Sequence, residues 1–143
     1  KALNCFRGFK DLSSLTLVTE LGDIRRFPHP SKVAAYSGLS IREYTSGGKE
    51  LRFGITKQGN RILRTVVVEA CQFSFKPPGV SKDLKERRKG ADPEYINIAD
   101  RCMHRLNKKS TRMSINRKHR NKIKVACARE MLCFVWEALH KAA

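Results

Sequence analysis

The sequence predicts a mainly α-helical, compact domain with a glycine-rich loop or short β-hairpin at 40–59 and a long C-terminal helix. Apolar residues recur at spacings of three and four through most of the chain, which is typical of amphipathic helices. Residues 40–59 break this pattern and contain four glycines. With 41% hydrophobic residues, 143 residues are enough for one core, so we expect a single domain over 1–143.

The first helix is predicted within 12–23, with Asp11 as its N-cap and Gly22 as its stop. Its apolar face is expected to consist of Leu12, Leu15, Val18 and Leu21. Just before it, Gly8 permits a tight turn ahead of the helix N-terminus, where free N–H groups can meet a phosphate.

A second short helix is predicted within 27–39, with Ser31 as its N-cap and Gly38 as its C-cap. Two short helices around a glycine-bearing turn resemble a helix-hairpin-helix, an element that binds the nucleic-acid backbone without reading sequence. Lys10 departs from that element, because it stands where a second glycine is usual. A plain helical hairpin without a ligand fits the same pattern.

A third helix is predicted from Asn60, its N-cap, through Phe75. Its broad apolar stripe makes it a core helix. Arg61 and Arg64 lie in the first turns, where the helix dipole disfavours cations and an anion would be favourable.

Two segments are predicted to be loops or basic excursions. In 76–93, three prolines and two glycines accompany a charge cluster, and in 107–118 the helical pattern lapses. Between them a helix is expected to pass through Ile98 and Leu106. The last long helix follows, and its apolar residues predict a core element with Trp136 at the margin.

Charge indicates the partner. The net charge is +17, with +6 in 1–75 and +11 in 76–143, and 101–124 contains ten Lys and Arg without an acid. A field of this sign attracts polyanions and gives salt-sensitive binding, so nucleic acid is the expected partner. A solvated surface loop would also tolerate the charges of 101–124. No apolar run approaches the ~18 residues of a membrane span, so no span is expected. The alternative partner is an anionic membrane surface, which requires a strongly amphipathic helix with Lys on one face and Trp or Phe on the other. Only the C-terminal helix comes near that pattern, so no membrane partner is expected.

Several kinds of site are disfavoured. The five cysteines are odd in number and form no Cys-x-x-Cys pair, which favours reduced, mostly buried thiols over disulfides or zinc. The sequence GITKQGNR has phosphate-loop spacing, but Asn60-Arg61 replaces the required Lys-Ser/Thr. The thirteen acids are scattered, so we expect no metal site in this chain.

Residues 17–70 and 118–139, including the sequence TSGGK…GITKQGNR, resemble the C-terminal transposase domain of the insertion-sequence one-ten family. The resemblance implies that this chain is part of a longer protein whose N-terminal RuvC-like domain has four metal-binding acids. It also implies cleavage and exchange of DNA strands through a phosphoserine intermediate, and guidance by an RNA that the mobile element encodes.

The resemblance maps the nucleophile to Ser46, the hydroxyl before Gly47-Gly48-Lys49, with Thr45 as the rival hydroxyl. We expect Gly47 and Gly48 to let the backbone approach a phosphate closely. Fixed cations would stabilise the charge that develops on phosphorus. The candidates for binding phosphate or nucleic acid are Lys49, Arg52, Lys57, Arg61, Arg64, Lys118, Arg120 and Lys122.

The loop contains no general base, so activation of the serine should come from outside this chain. The resemblance implies magnesium in the RuvC-like domain, a homo-oligomer of the full-length protein, and a bacterial cytoplasmic location at the nucleoid. No cofactor is expected in this chain, which we expect to be inactive alone. The alternative is a non-catalytic, basic helical module that binds RNA or DNA, and only a covalent protein–DNA adduct separates the two.

Overall fold

The computed structural model describes the main chain throughout and the side chains of all residues except 42–46 and 49–53. The helices are α1 (Asp11–Leu21), α2 (Pro30–Tyr36), α3 (Arg61–Ala70), α4 (Lys82–Arg88), α5 (Pro93–Ile115) and α6 (Arg120–Ala142). The strands β1 (Ile41–Ser46) and β2 (Lys49–Ile55) pair in antiparallel fashion as one hairpin. Short 3-10 turns occupy Ala2–Cys5, Ile24–Arg26 and Cys71–Phe75. The predicted fold class, a mainly helical domain with a β-hairpin and a long C-terminal helix, is confirmed.

Helix α6 is the central element of the core. It packs against α2, α3, α5 and the N-terminal 3-10 turn. Its buried residues recur at helical spacing and are Ile123, Cys127, Ala128, Met131, Leu132, Val135 and Ala138. Trp136 is half-buried at the edge of this core, as predicted, and its Nε1–H donates to the Phe27 carbonyl at 2.8 Å. In the part of the chain that the structure describes, no helix combines the length and the apolar character that a membrane crossing requires.

Of the four residues predicted as the apolar face of α1, only Leu21 is buried. Leu12, Leu15 and Val18 are 78%, 64% and 45% exposed, whereas Ser14 and Leu17 are buried. The sequence offers two apolar stripes on this helix, and packing against α3 selects the one that contains Leu17. The helix begins one residue earlier than predicted, with Lys10 as the N-cap, and Gly22 ends it as expected.

The turn before α1 requires its glycine. Gly8 has φ +103°, and a Cβ there would lie 2.6 Å from the Ala70 carbonyl oxygen, so any side chain would collide with α3. Helices α1 and α2 pack on different partners, α1 on α3 and α2 on α6. The helix-hairpin-helix function of this region stays a prediction.

The predicted N-cap is wrong for α2 and correct for α3. His29, rather than Ser31, is the N-cap of α2, and its ring nitrogen accepts from the Ser31 N–H at 3.2 Å. Gly38 follows the C-cap Ser37 with φ +74°. Asn60 caps α3 as predicted, since its side-chain oxygen accepts from the Leu63 N–H at 2.9 Å.

The loop predicted at 76–93 is wrong for Lys82–Arg88, because these residues form helix α4. The Arg87 guanidinium donates to the carbonyls of Asn4 at 2.6 Å and of Phe9 at 2.5 Å. Arg88 is buried and donates to the Cys5 carbonyl at 3.0 Å and to Asp100 at 2.8 Å. These two cations hold α4 against the N-terminal turn.

The loop predicted at 107–118 is also wrong for most of its length, because α5 continues to Ile115. The reason is a set of ion pairs between α5 and α6. Glu130 of α6 accepts from Arg105 at 3.0 Å and from Lys109 at 2.6 Å, and Glu137 pairs with Arg101. The acids of α6 therefore offset the repulsion between like charges that made this segment look unstable as a helix.

The cysteines lie as expected. All five are free; Cys5, Cys71, Cys102 and Cys127 are buried, and Cys133 is half-buried. Burial raises the pKa of the Cys71 and Cys102 thiols well above the ordinary value. Because the thiolate is the reactive form, these side chains act as apolar core residues.

Candidate nucleic-acid interface

The hairpin places Ser46 at the end of β1, directly before a two-residue turn. Ser46 pairs with Lys49, and Gly47 and Gly48 between them have φ of +58° and +78°. Two consecutive left-handed residues form the turn type that matches the twist of a hairpin. Both glycines are exposed, and a Cβ added at either position would meet no atom within 4 Å. They are therefore needed for their backbone conformation, and the turn leaves open space for a ligand.

The hairpin is joined to the helical core through main-chain contacts, which we call the hairpin root. The Thr56 N–H donates to the Ser40 carbonyl at 2.9 Å, and the Lys57 N–H donates to the Gly38 carbonyl at 3.1 Å. The Asn60 N–H donates to the Tyr36 carbonyl at 2.8 Å. The end of α2 and the start of α3 thus determine where the hairpin begins and ends.

Two glycines make this close approach possible. A Cβ on Gly59 would lie 2.3 Å from the Tyr36 carbonyl oxygen, and one on Gly38 would lie 2.6 Å from the guanidinium of Arg64. That guanidinium donates to the Ser37 carbonyl at 3.1 Å. The contact shown for Arg64 is therefore structural, and its predicted phosphate contact stays untested.

The junction of α5 and α6 forms a basic surface, here called the basic corner. Its exposed cations are Arg112, Arg117, Lys118, Arg120 and Lys122. Arg117 has φ +56°, and its N–H donates to the Ser114 carbonyl as the chain leaves α5. The Arg120 guanidinium lies 3.9 Å from the centroid of the Phe75 ring, which keeps this cation at the surface.

A cleft of about 540 Å³ separates the hairpin root from the basic corner. Its floor consists of the apolar side chains Ile41, Ile55, Met113, Val125 and Ala126. Its polar rim consists of Lys57, Asn121, Lys122 and Arg129. The open end of the hairpin and Lys122 of the basic corner therefore line one surface, and Ser46 lies at the far end of β1.

The structure brings some of the predicted site residues together. Lys57 and Lys122 share the cleft, Lys118 and Arg120 belong to the basic corner, and Arg61 is exposed in the first turn of α3. The side chains of Ser46, Thr45, Lys49 and Arg52 lie outside the described residues, so their predicted roles stay predictions.

Several residues of the cleft were not predicted from the sequence. Met113, Asn121 and Arg129 all lie at it, and Arg112 lies at the basic corner. A signal for Arg129 existed, because Lys122, Val125 and Arg129 recur at spacings of three and four along α6 and so share a helical face. The position of α6 across the cleft from the hairpin root carried no sequence signal.

Among the residues whose side chains the structure describes, no three His, Cys, Asp or Glu side chains lie together in a way that could hold a metal ion. Burial raises the pKa of the Glu130 carboxyl, but the hydrogen bonds from Arg105 and Lys109 outweigh this, so the pKa lies below its ordinary value. Glu130 is therefore an ionised partner in an ion pair.

Comparison with known proteins identifies the family of this chain. Residues 1–82 match the family model described as Transposase IS116/IS110/IS902 family. The chain belongs to this transposase family. The match spans the hairpin, its root and α3, so the hairpin lies within the part of the domain that defines the family.

Three relatives are longer proteins. A protein named as a transposase, y4qE of Sinorhizobium fredii, is 32% identical over 142 residues, which are 99% of this chain and 36% of that protein. The transposase for insertion sequence element IS1111A of Coxiella burnetii is 36% identical over 43% of the chain and 17% of its own length. The transposase for IS1328 of Yersinia enterocolitica is 29% identical over 63% of the chain and 25% of its length. The chain thus spans about a third or less of these relatives, and no solved structure matches it.

Proposed function

We propose that this transposase-family chain is a DNA-binding domain in which Ser46 joins covalently to a cleaved DNA strand. The observation that supports this most is the shared surface of the hairpin and the basic corner. It places cations of two distant chain segments, Lys57 and Lys122, around one cleft at the base of the strand that ends in Ser46. A phosphate backbone is the ligand that such a surface suits.

The proposed step exchanges one phosphate ester for another. The Ser46 hydroxyl oxygen attacks phosphorus and its proton is released, while the bond from phosphorus to one strand oxygen breaks and that oxygen takes up a proton. A hydroxyl of a second strand then displaces the serine in the same manner, so the energy of the ester bond is conserved. Nearby cations and N–H dipoles stabilise the charge of each transition state.

Activation of the serine is proposed to come from outside this chain. The resemblance assigns magnesium and its acids to a RuvC-like domain of the longer protein, and a second subunit can supply that domain. An RNA encoded by the element is the proposed source of target choice. This chain alone is therefore proposed to bind DNA without cutting it.

The test is a covalent adduct. A full-length transposase that carries this domain is incubated with guide RNA, Mg²⁺ and a nicked DNA substrate, and protein–DNA species that survive denaturation are isolated. Trypsin cuts after Arg42 and Lys49, so the phosphate is expected on peptide 43–49, where fragmentation distinguishes Ser46 from Thr45. Ser46→Ala should abolish the adduct and Thr45→Ala should retain it.

The matched pair of variants makes the outcome decisive. An adduct that persists in Ser46→Ala and disappears in Thr45→Ala transfers the role to Thr45. An adduct absent from the wild-type protein, with DNA binding intact, favours the second candidate, a non-catalytic binding domain. The basic corner supports that candidate too, because its cations bind nucleic acid with or without chemistry.

A further inference from the structure

The cleft beside the hairpin root combines an apolar floor with a cationic rim. The floor has contributions from two parts of the fold. Ile41 and Ile55 are paired at the open end of the hairpin, and Met113 and Val125 come from α5 and α6. Lys57, from the root, lies on the rim. The volume of about 540 Å³ is within the range of small-molecule pockets, which is about 300–1,000 Å³.

This combination distinguishes between ligands. Phosphate alone satisfies the rim, but it leaves an apolar floor exposed to water. A base pair inside a duplex keeps its faces stacked on its neighbours and cannot cover the floor. An unpaired nucleotide offers both parts at once, because its base has apolar faces and its flanking phosphates are anionic. Asn121 on the rim adds an amide that can both donate to and accept from a base edge.

We propose that this cleft binds one unpaired nucleobase a few nucleotides from the cut, with its flanking phosphates on Lys57, Lys122 and Arg129, because β1 spans roughly 17 Å between the cleft at Ile41 and Ser46. The inference rests on the proposed function, since strand exchange requires bases beside the cut to leave one partner strand before they pair with another. The cleft holds such a base during the exchange. Apolar contacts bind its faces, and the rim orients the backbone.

The three methionines allow a direct test on the unmodified chain. Met113 lines the cleft and is half-buried, whereas Met103 and Met131 are buried in the core. With ¹³C-methyl-labelled methionine, a base over the floor shifts the Met113 methyl resonance through its ring current, and the two core methyl groups serve as internal references. Met113→Leu assigns the resonance.

Two ligands with equal numbers of phosphates are compared, octathymidylate and an abasic octamer of sugar and phosphate only. Octathymidylate should shift Met113 and bind about fivefold more tightly than the abasic strand, because a base face covers aliphatic side chains that the abasic strand leaves exposed to water. A Met113 resonance that moves equally with both strands, or with neither, overturns the proposal. If neither strand moves the Met113 resonance, something other than nucleic acid covers the floor.

A variant that fills the cleft supplies a second readout. Ala126→Trp places an indole over the floor, while Ala142→Trp adds the same group to an exposed position at the end of α6. Only Ala126→Trp should lose the preference for octathymidylate, and both should keep the salt dependence of duplex binding. If Ala126→Trp keeps the preference, the proposal fails; if it does not fold, the Met113 measurement decides alone.

Failure of this inference is distinguishable from failure of the proposed function. The Met113 shift is measured on this chain alone and requires no cleavage, metal or guide RNA. The adduct is measured on the full-length protein with metal and guide RNA, and its formation does not depend on the Met113 result. An adduct without a base-dependent Met113 shift leaves Ser46 as nucleophile and removes the base site. A shift without an adduct leaves a site for unpaired bases in a non-catalytic domain.

Discussion

Gly59→Ala is expected to destabilise the domain strongly, because it acts on the hairpin root. The added Cβ would lie 2.3 Å from the Tyr36 carbonyl oxygen and 2.8 Å from the Gly38 nitrogen, and neither main-chain atom can rotate away. Gly59 also has φ +143°, where a side chain costs about 1–3 kcal/mol. Moving the Tyr36 carbonyl weakens the Asn60 N–H bond, worth about 0.5–1.5 kcal/mol. Together these effects predict a loss of about 2–4 kcal/mol.

Two matched variants separate the contributions. Gly22 has φ +64° and ψ −137° but nothing within 4 Å, so Gly22→Ala measures backbone strain alone, at about 1–3 kcal/mol. Gly79 has neither restriction, and Gly79→Ala should change stability by less than about 0.5 kcal/mol. Urea unfolding followed by circular dichroism gives the free energy of unfolding of each variant. If Gly59→Ala costs no more than Gly22→Ala, the close contact of the two main-chain segments does not hold the root.

Two further predictions concern the ion pairs and the basic corner. The pKa of Glu130 is lowered in the folded protein, so its ion pairs stabilise the fold above its ordinary value of 4.5 and are lost as the pH falls below it. Glu130→Gln should therefore cost about 1–2 kcal/mol at neutral pH and flatten the acid side of the stability profile; an unchanged profile would contradict this. Lys118→Gln and Lys122→Gln should each lower the slope of log affinity against log salt by about 0.9 for duplex DNA or about 0.7 for a single strand. Arg105→Gln is the control, because Arg105 is in an ion pair with Glu130 and its loss should leave the slope unchanged. If all three variants keep the wild-type slope, the cations of the basic corner contact solvent and not DNA.

Local patterns predicted the elements of the fold well. The cap at Asn60, the stop at Gly22 and the double glycine of the hairpin act within a few residues, so their consequences are readable from the sequence. The errors share a different cause. Whether Leu12 or Leu17 faces the core depends on where α3 lies, and the helix through Lys109 depends on Glu130 of α6. Both are long-range contacts, which periodicity does not encode.

The same distinction applies to the candidate site. Lys57 and Lys122 are each recognisable as cations, but only the tertiary fold, which sets α6 across from the hairpin root, brings them to one cleft. The apolar floor of the cleft escaped prediction for a related reason. Met113 and Val125 have the same spacing as residues of the core, and a sequence does not reveal which apolar residues the fold leaves at a surface.

The uneven distribution of charge affects how the domain meets a polyanion. Acids are absent from 101–129, so the exposed cations of the basic corner lie in a stretch without local compensation from the same segment. Long-range attraction acts before any short contact forms, and it should rotate the molecule so that this corner arrives first. Encounters would then begin with the hairpin already turned toward the polymer, and the association rate would fall steeply as ionic strength rises.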